Sequence, residues 1–312
     1  MTQYAIDPEL LPWLAMIPDV DLGDMDALRA NQSEAAGLIP PVVVPDGIEI
    51  REVTIPSHDG YASRAKLYLP GGPVDGLRPG FVSIHGGGFV MGDIDTFEQG
   101  PVDIAAGAGA IVVSPDYRLA PEHPFPAGLE DCYATLEWLA ANAEELGIDP
   151  ARIAVGGASA GGGLSAAVAL LARDRQGPPI CFQVLEIPEL DDRLDTPSMV
   201  EFVDTPLWNR PAAEYSWKYY LSGTPEVLGL QYAAPSRAED LSGLPPAFVS
   251  VCEFDPLRDE GIAYAQRLLQ NGISTELHHY RGTFHGSGMV ATAEVSKRMA
   301  SDVMDAIRRA LS

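Results

Sequence analysis

Hydrophobic and polar positions follow two rhythms along this chain. Ile48–Ile55 and Arg64–Leu69 alternate, or nearly alternate, apolar and polar residues. That is the pattern of half-buried antiparallel strands. Beyond a turn-rich connection, Gly71-Gly72-Pro73 to Pro79-Gly80, the pattern changes to short continuous apolar runs. They are Phe81–Ile84, Ala110–Ser114, Ile153–Gly156, Cys181–Ile187, Ala247–Val251 and Thr275–Tyr280. Such runs read as strands buried on both faces. Helical stretches fall between most of them, for example Gly128–Leu146, Leu164–Arg175 and Asp259–Gln270. The alternation predicts an α/β chain, with a mostly parallel sheet covered by helices on both faces.

Two regions break the rhythm, residues 1–47 and 189–226. Three of the four tryptophans, Trp13, Trp208 and Trp217, fall in them, and Trp138 lies elsewhere. Aromatic-rich segments outside a sheet either cap its C-terminal edge or merely cover the body. The expected organisation is a cap segment over 1–47, core over 48–188, a cap insertion over 189–226 and core again over 227–312.

Composition narrows the partners. Lys and Arg number 20 against 44 Asp and Glu, a formal net charge of −24. A chain this acidic repels phosphate backbones and anionic lipid, so neither nucleic acid nor a membrane surface is expected as a partner. The acids are scattered, which also suits a solvated surface. Cys132, Cys181 and Cys252 are far apart in apolar surroundings, so no disulfide framework or zinc spacing follows. The first residues lack a basic segment followed by a continuous apolar one, which makes a cytoplasmic location the expectation. Ala154–Ala172 has the length of a membrane span, but its glycines and Ser159 read better as strand, turn and buried helix.

The chemistry concentrates in two glycine-rich segments. Gly157-Ala158-Ser159-Ala160-Gly161 fits G-x-S-x-G, with a strand before it and an Ala/Leu-rich helix after it. That context presents a serine on a sharp strand-to-helix turn. His85-Gly86-Gly87-Gly88-Phe89 follows the strand Phe81–Ile84. Glycines there let backbone N–H groups approach a developing oxyanion. The expected donors are Gly87, Gly88 and Ala160, with His85 holding the loop by a side-chain hydrogen bond.

An acid and a histidine should follow the serine in that order. His278 and His279 lie inside the strand Thr275–Tyr280 and read as strand residues. His285 lies beyond it in a glycine-flanked segment, expected to be an exposed and mobile loop. Asp255 comes just after Ala247–Val251 and before Pro256, where a turn is fixed. Asp259 reads as the cap of the next helix. Glu253 and Asp191 are weaker alternatives for the acid. The run Glu186 to Asp195 lacks nearby histidines and reads as a loop or helix start rather than a metal site.

Together, His85–Phe89, Asp116–Ala127, the Ser159 pentapeptide and Asp255–Glu260 resemble the hormone-sensitive-lipase branch of the carboxylesterases. The resemblance spans nearly the whole chain beyond residue 48. Leu185–Arg193 is similar to the corresponding stretch of bacterial acetyl esterases of that branch. The resemblance implies the α/β-hydrolase fold: a mostly parallel eight-stranded sheet, helices on both faces and a helical cap. It implies a triad of Ser159, Asp255 and His285 acting on small-molecule esters of short to medium acyl chain. It implies no metal or organic cofactor, and often a homodimer. Asp116–Ala127 would support the oxyanion loop, and Phe89, Trp208 and Trp217 are expected to contact substrate. Two positions depart from the branch: Ala158 stands where an Asp is frequent, and Gly286-Ser287 where Gly-Phe is commoner. Rival readings are amide hydrolysis on the same triad, a true lipase, and a non-catalytic binding protein like the plant gibberellin receptors. Such receptors lack the base, so His285 argues against the last. Nothing resembling a long apolar lid supports the lipase.

Overall fold

The computed structural model describes residues 4–15, 22–25, 27–29, 41–73, 75–223 and 229–312. Much of the expected 1–47 segment, and residues 224–226 of the expected insertion, lie outside them. In chain order the elements are α1 (Leu11–Leu14), β1 (Ile48–Pro56), β2 (Ala62–Pro70), β3 (Arg78–Ile84), α2 (Gln99–Ala108), β4 (Ile111–Pro115), α3 (Ala127–Ala141), α4 (Ala143–Leu146) and β5 (Ile148–Ala158). There follow α5 (Ala160–Asp174), β6 (Phe182–Glu186), α6 (Pro197–Glu201), α7 (Arg210–Tyr220), β7 (Ala247–Phe254), α8 (Arg258–Gln270), β8 (Thr275–Phe284) and α9 (Glu294–Leu311). The eight strands form one sheet in the order β1-β2-β4-β3-β5-β6-β7-β8. β1 and β2 run antiparallel to their neighbours, and every pair from β4·β3 to β7·β8 is parallel.

Successive strand residues point to opposite faces, and the core divides accordingly. Val82, Val113 and Val155 pack with Leu129, Leu136 and Leu139 of α3 and Leu164 and Val168 of α5. Leu185 and Val249 join α5 and Leu268 of α8 further along the same face. Their strand neighbours Phe81, Val112, Ala154, Val184 and Phe248 meet Val102 of α2 and Ile307 of α9 on the other face. The continuous apolar runs are continuous because both faces are covered.

The elements differ from the sequence expectation at their ends. α5 starts at Ala160 rather than Leu164, so Gly161, Gly162 and Gly163 are helical rather than part of a loop. The expected helix 128–146 breaks at Asn142 into α3 and α4. β8 continues past Tyr280 to Phe284, with Gly282 at φ +76° carrying the chain through. α8 is not capped by Asp259, since Leu257 occupies the cap position. Asp259 instead accepts the Ser198 N–H at the start of α6, at 2.8 Å. α2, with two internal glycines and a proline, and the amphipathic α9 were not singled out by the sequence pattern.

The two arrhythmic regions meet over the sheet. Tyr4 packs edge-on against Phe202 at 5.7 Å and tilts onto Phe254 at 5.4 Å. Leu22 and Leu28 share a buried cluster with Met199, Trp208, Ala212 and Ala213. Asn209 caps α7 by accepting the Ala212 N–H at 3.1 Å, which starts that helix beside Trp208. Among the described residues no helix is long and apolar enough to cross a membrane.

Candidate active site

β5 ends at Ala158, α5 begins at Ala160, and the single residue between them is Ser159. Its backbone sits at φ +58°, ψ −122°, a region that costs a non-glycine residue on the order of 1–3 kcal/mol. The neighbouring glycines make the turn possible. A Cβ on Gly157 or Gly161 would run into the Ile84 carbonyl oxygen, and one on Gly161 would also lie 2.6 Å from that of His85. A Cβ on Gly86 would sit 2.9 Å from the Ala158 oxygen. The β3 and β5 ends can therefore approach only as bare backbone. The Ser159 N–H donates to Glu186 O at 2.8 Å, and Glu189 N–H donates to Ser159 O at 3.1 Å, tying the turn to the end of β6.

His285 follows β8 directly. Its Nε2 lies 2.9 Å from Ser159 Oγ, and its Nδ1 lies 2.8 Å from Asp255 Oδ2. A proton on Nδ1, donated to the Asp255 carboxylate, leaves Nε2 free to accept from the serine. Asp255 Oδ1 accepts the Leu257 N–H at 2.9 Å, so its carboxylate is held by its own turn. The expectation that His285 sits in an exposed, mobile loop does not hold, for its ring is 5% exposed. Ser287 explains this. Its Oγ accepts the Phe284 N–H at 2.8 Å and donates to the Phe284 carbonyl at 2.7 Å, which closes the chain around His285.

The competing acids and bases are engaged elsewhere. Asp191 pairs with Arg193 at 2.6 Å. Glu253 accepts the Gly282 N–H at 2.6 Å. His278 lies between Glu276 and Asp302 at 2.7 and 3.2 Å, and His279 is exposed.

The glycine loop after β3 curls beside the serine. Gly87 and Gly88 have φ of +122° and +55°, which glycine adopts without strain. Among the described residues no backbone acceptor takes the N–H of Gly87, Gly88 or Ala160. The Ala160 N–H also opens α5, where helix N–H groups have no intrahelical acceptor. His85 Nδ1 donates to Gly86 O at 2.8 Å, and its ring stacks on Tyr117 at 4.2 Å. Burial pushes the His85 pKa below its ordinary value, favouring the neutral ring. Asp116–Ala127 supports the loop from outside: Tyr117 Oη donates to His85 O at 3.0 Å, and Ala120 N–H donates to Phe89 O at 2.9 Å.

Of the three aromatic residues expected at the substrate, only Trp208 lies beside the triad. Its ring is 5.7 Å from that of His285, and a Cβ on Gly88 would meet it. Phe89 and Trp217 point the other way and correct the expectation. Phe89 stacks on Tyr220 at 4.0 Å and tilts onto Trp217 at 5.3 Å, and both side chains are 2% exposed within the core. They brace the loop from below. Sequence reasoning passed over Ser216, whose Oγ meets the Gly88 carbonyl, and Glu189, which meets that same Oγ. Nothing in a run of acids marks the one that will be buried. Among the described residues no group of His, Cys, Asp and Glu is disposed to hold a metal ion.

Comparison with known proteins gives the family of the chain. Residues 81–289 match the model of a family described by its α/β-hydrolase fold. Carboxylesterase NlhH of Mycobacterium tuberculosis is 42% identical over 287 residues, which cover 89% of each chain. Ethyl acetate hydrolase of Pseudomonas putida is 31% identical, over 84% of this chain and 82% of its own. The solved structure of bacterial heroin esterase superposes with a TM-score of 0.94 at 51% identity, covering 99% of this chain and 98% of that one. The chain belongs to the α/β-hydrolase family, in its hormone-sensitive-lipase-like branch, and is a carboxylic ester hydrolase.

Proposed function

We propose that this carboxylesterase is a serine enzyme that cleaves short-acyl esters of small molecules through an acyl-enzyme. The observation that carries the reading is the unbroken line from Ser159 Oγ to His285 Nε2, 2.9 Å, and from His285 Nδ1 to Asp255 Oδ2, 2.8 Å. His285 takes the serine proton as Oγ attacks the ester carbonyl. The negative oxygen that forms is met by the N–H groups of Gly87, Gly88 and Ala160. The protonated His285, stabilised by the Asp255 carboxylate, then gives its proton to the departing alcohol. Water, deprotonated by His285, releases the acid.

The short-acyl preference is supported by Trp208, whose ring stands between Gly88 and His285 and narrows the space over the reacting carbon. The name of the ethyl acetate hydrolase relative points the same way. Initial rates on p-nitrophenyl esters from acetate to laurate, with Ser159→Ala beside the wild type, test both statements. The expected result is fastest turnover of acetate or butyrate and loss of about a million-fold in the variant. Equal rates in the two proteins would remove Ser159 from the chemistry, and a laurate optimum would remove the chain-length preference.

A further inference from the structure

Glu189 stands three residues beyond β6, and its side chain is fully buried, at 0% exposure. Its Oε1 lies 2.9 Å from Ser216 Oγ on α7. The same Oγ lies 2.9 Å from the Gly88 carbonyl oxygen. A serine hydroxyl carries one proton. The Gly88 carbonyl can only accept, and so can an ionised Glu189. One proton cannot fill both contacts, and the second would be two facing lone pairs at hydrogen-bond distance in the protein interior. A neutral Glu189 removes the conflict. Its O–H donates to Ser216, and Ser216 donates to Gly88.

Resting on the oxyanion role given above to Gly87 and Gly88, we propose that Glu189 is a protonated positioning residue. Its proton, relayed through Ser216, pins the oxyanion loop to the cap helix α7. Gly88 is then held on one side by Ser216 and on the other by the Trp208 ring, both contributed by the cap insertion.

The surroundings favour the neutral acid. Burial, reinforced by the negative charge of Asp255 and opposed by the Ser216 hydrogen bond, pushes the Glu189 pKa up to about 8. The other titratable groups that sense Glu189 are Glu260 on α8, Tyr117 after β4 and Tyr220 on α7, all of them acids. Among the described residues Glu189 Oε2 has no hydrogen-bond partner. That costs little for the carbonyl oxygen of a neutral acid and a great deal for a carboxylate. Once the proton leaves, Ser216 turns to the new carboxylate and Gly88 loses its donor. The loss falls on kcat rather than KM, because the loop acts on charge that develops only in the transition state.

The test follows kcat and KM for p-nitrophenyl acetate from pH 6.5 to 9.5 in wild type, Glu189→Gln and Glu189→Ala, subtracting the Ser159→Ala background. An infrared spectrum reads the carbonyl stretch of a protonated carboxyl in the same proteins. The wild-type kcat is expected to fall about tenfold for one pH unit above the Glu189 titration, at constant KM. Glu189→Gln, whose amide donates at every pH, lacks this fall, and Glu189→Ala is slow throughout. The wild-type spectrum at pH 6.5 carries a band that is absent from Glu189→Gln and from the wild type at pH 9.5. Superimposable pH profiles of wild type and Glu189→Gln, or no such band at pH 6.5, would overturn the proposal. The infrared measurement needs no turnover, so it separates failure here from failure of the serine mechanism, which would show as activity in Ser159→Ala.

Discussion

The two glycine-rich segments of the site look alike in sequence and are built on different physics. The segment around Ser159 needs glycine because two backbones pass in contact. Gly157 and Gly161 lie against the carbonyls that end β3, and neither has a positive φ. The loop after β3 needs glycine for conformation, with Gly87 and Gly88 both at positive φ. The serine turn is fixed by the sheet and α5. The loop after β3 is fixed by side chains from elsewhere, among them Tyr117, Trp208 and Ser216. Ser159 is thus set by the sheet and α5, whereas the glycine loop leans on Trp208 and α7. Changes in the first segment should threaten folding, and changes in the second should reach catalysis while leaving the fold.

The sharpest way to break that contrast is Gly161→Ala. The new methyl has only backbone to displace, so the expected loss exceeds about 4 kcal/mol, and little folded protein should be recovered in a denaturation assay. A well-folded Gly161→Ala would contradict the account of the turn. Asp255→Asn comes next. It keeps the shape and loses the charge that orients His285, so kcat should fall about ten-thousand-fold with the melting temperature little changed. Gly88→Ala should fold and lose about 100- to 1,000-fold in kcat, since its methyl would strike the Trp208 ring and push one proposed donor away from it. An equal loss of stability in Gly88→Ala and Gly161→Ala would erase the distinction between the segments.

The most gradual effect concerns Glu189. Its carboxyl titrates at about 8 when folded and near its ordinary 4.5 when unfolded. Between those values the unfolded chain has released a proton that the folded chain still holds. Stability from this group is therefore complete below pH 4.5 and is lost as the pH rises to about 8, at roughly 1.4 kcal/mol per pH unit. Glu189→Gln lacks that slope. Its melting temperature, measured against the wild type, should rise steadily between pH 5 and 8 and level off above. A constant difference would mean that Glu189 is already ionised.

The sheet was legible because its strands are buried on both faces, so each appears as an uninterrupted apolar run between turns. Ser159, Asp255 and His285 were legible because each follows the end of a strand, where an open α/β sheet gathers its site. What escaped depends on contacts that no local pattern encodes. The burial of His285 comes from Ser287 reaching back across one turn. Gly161 to Gly163 read as loop on propensity, and tertiary packing made them helix. Phe89 and Trp217 read as substrate contacts because they flank the right motifs, yet their rings pack against each other in the core beneath the loop. Glu189 resembled its acidic neighbours until α7 folded over it.

The central claim is that Ser159 is the atom-bearing nucleophile, and covalent trapping tests it most directly. The enzyme would be inactivated with diethyl p-nitrophenyl phosphate and its peptides mapped by mass spectrometry. The account predicts one diethylphosphoryl group, on the peptide bearing Ser159, gained in step with the loss of esterase activity. It predicts a far slower reaction in His285→Ala. Full inactivation with the label on another residue, or full activity with Ser159 labelled, would contradict it.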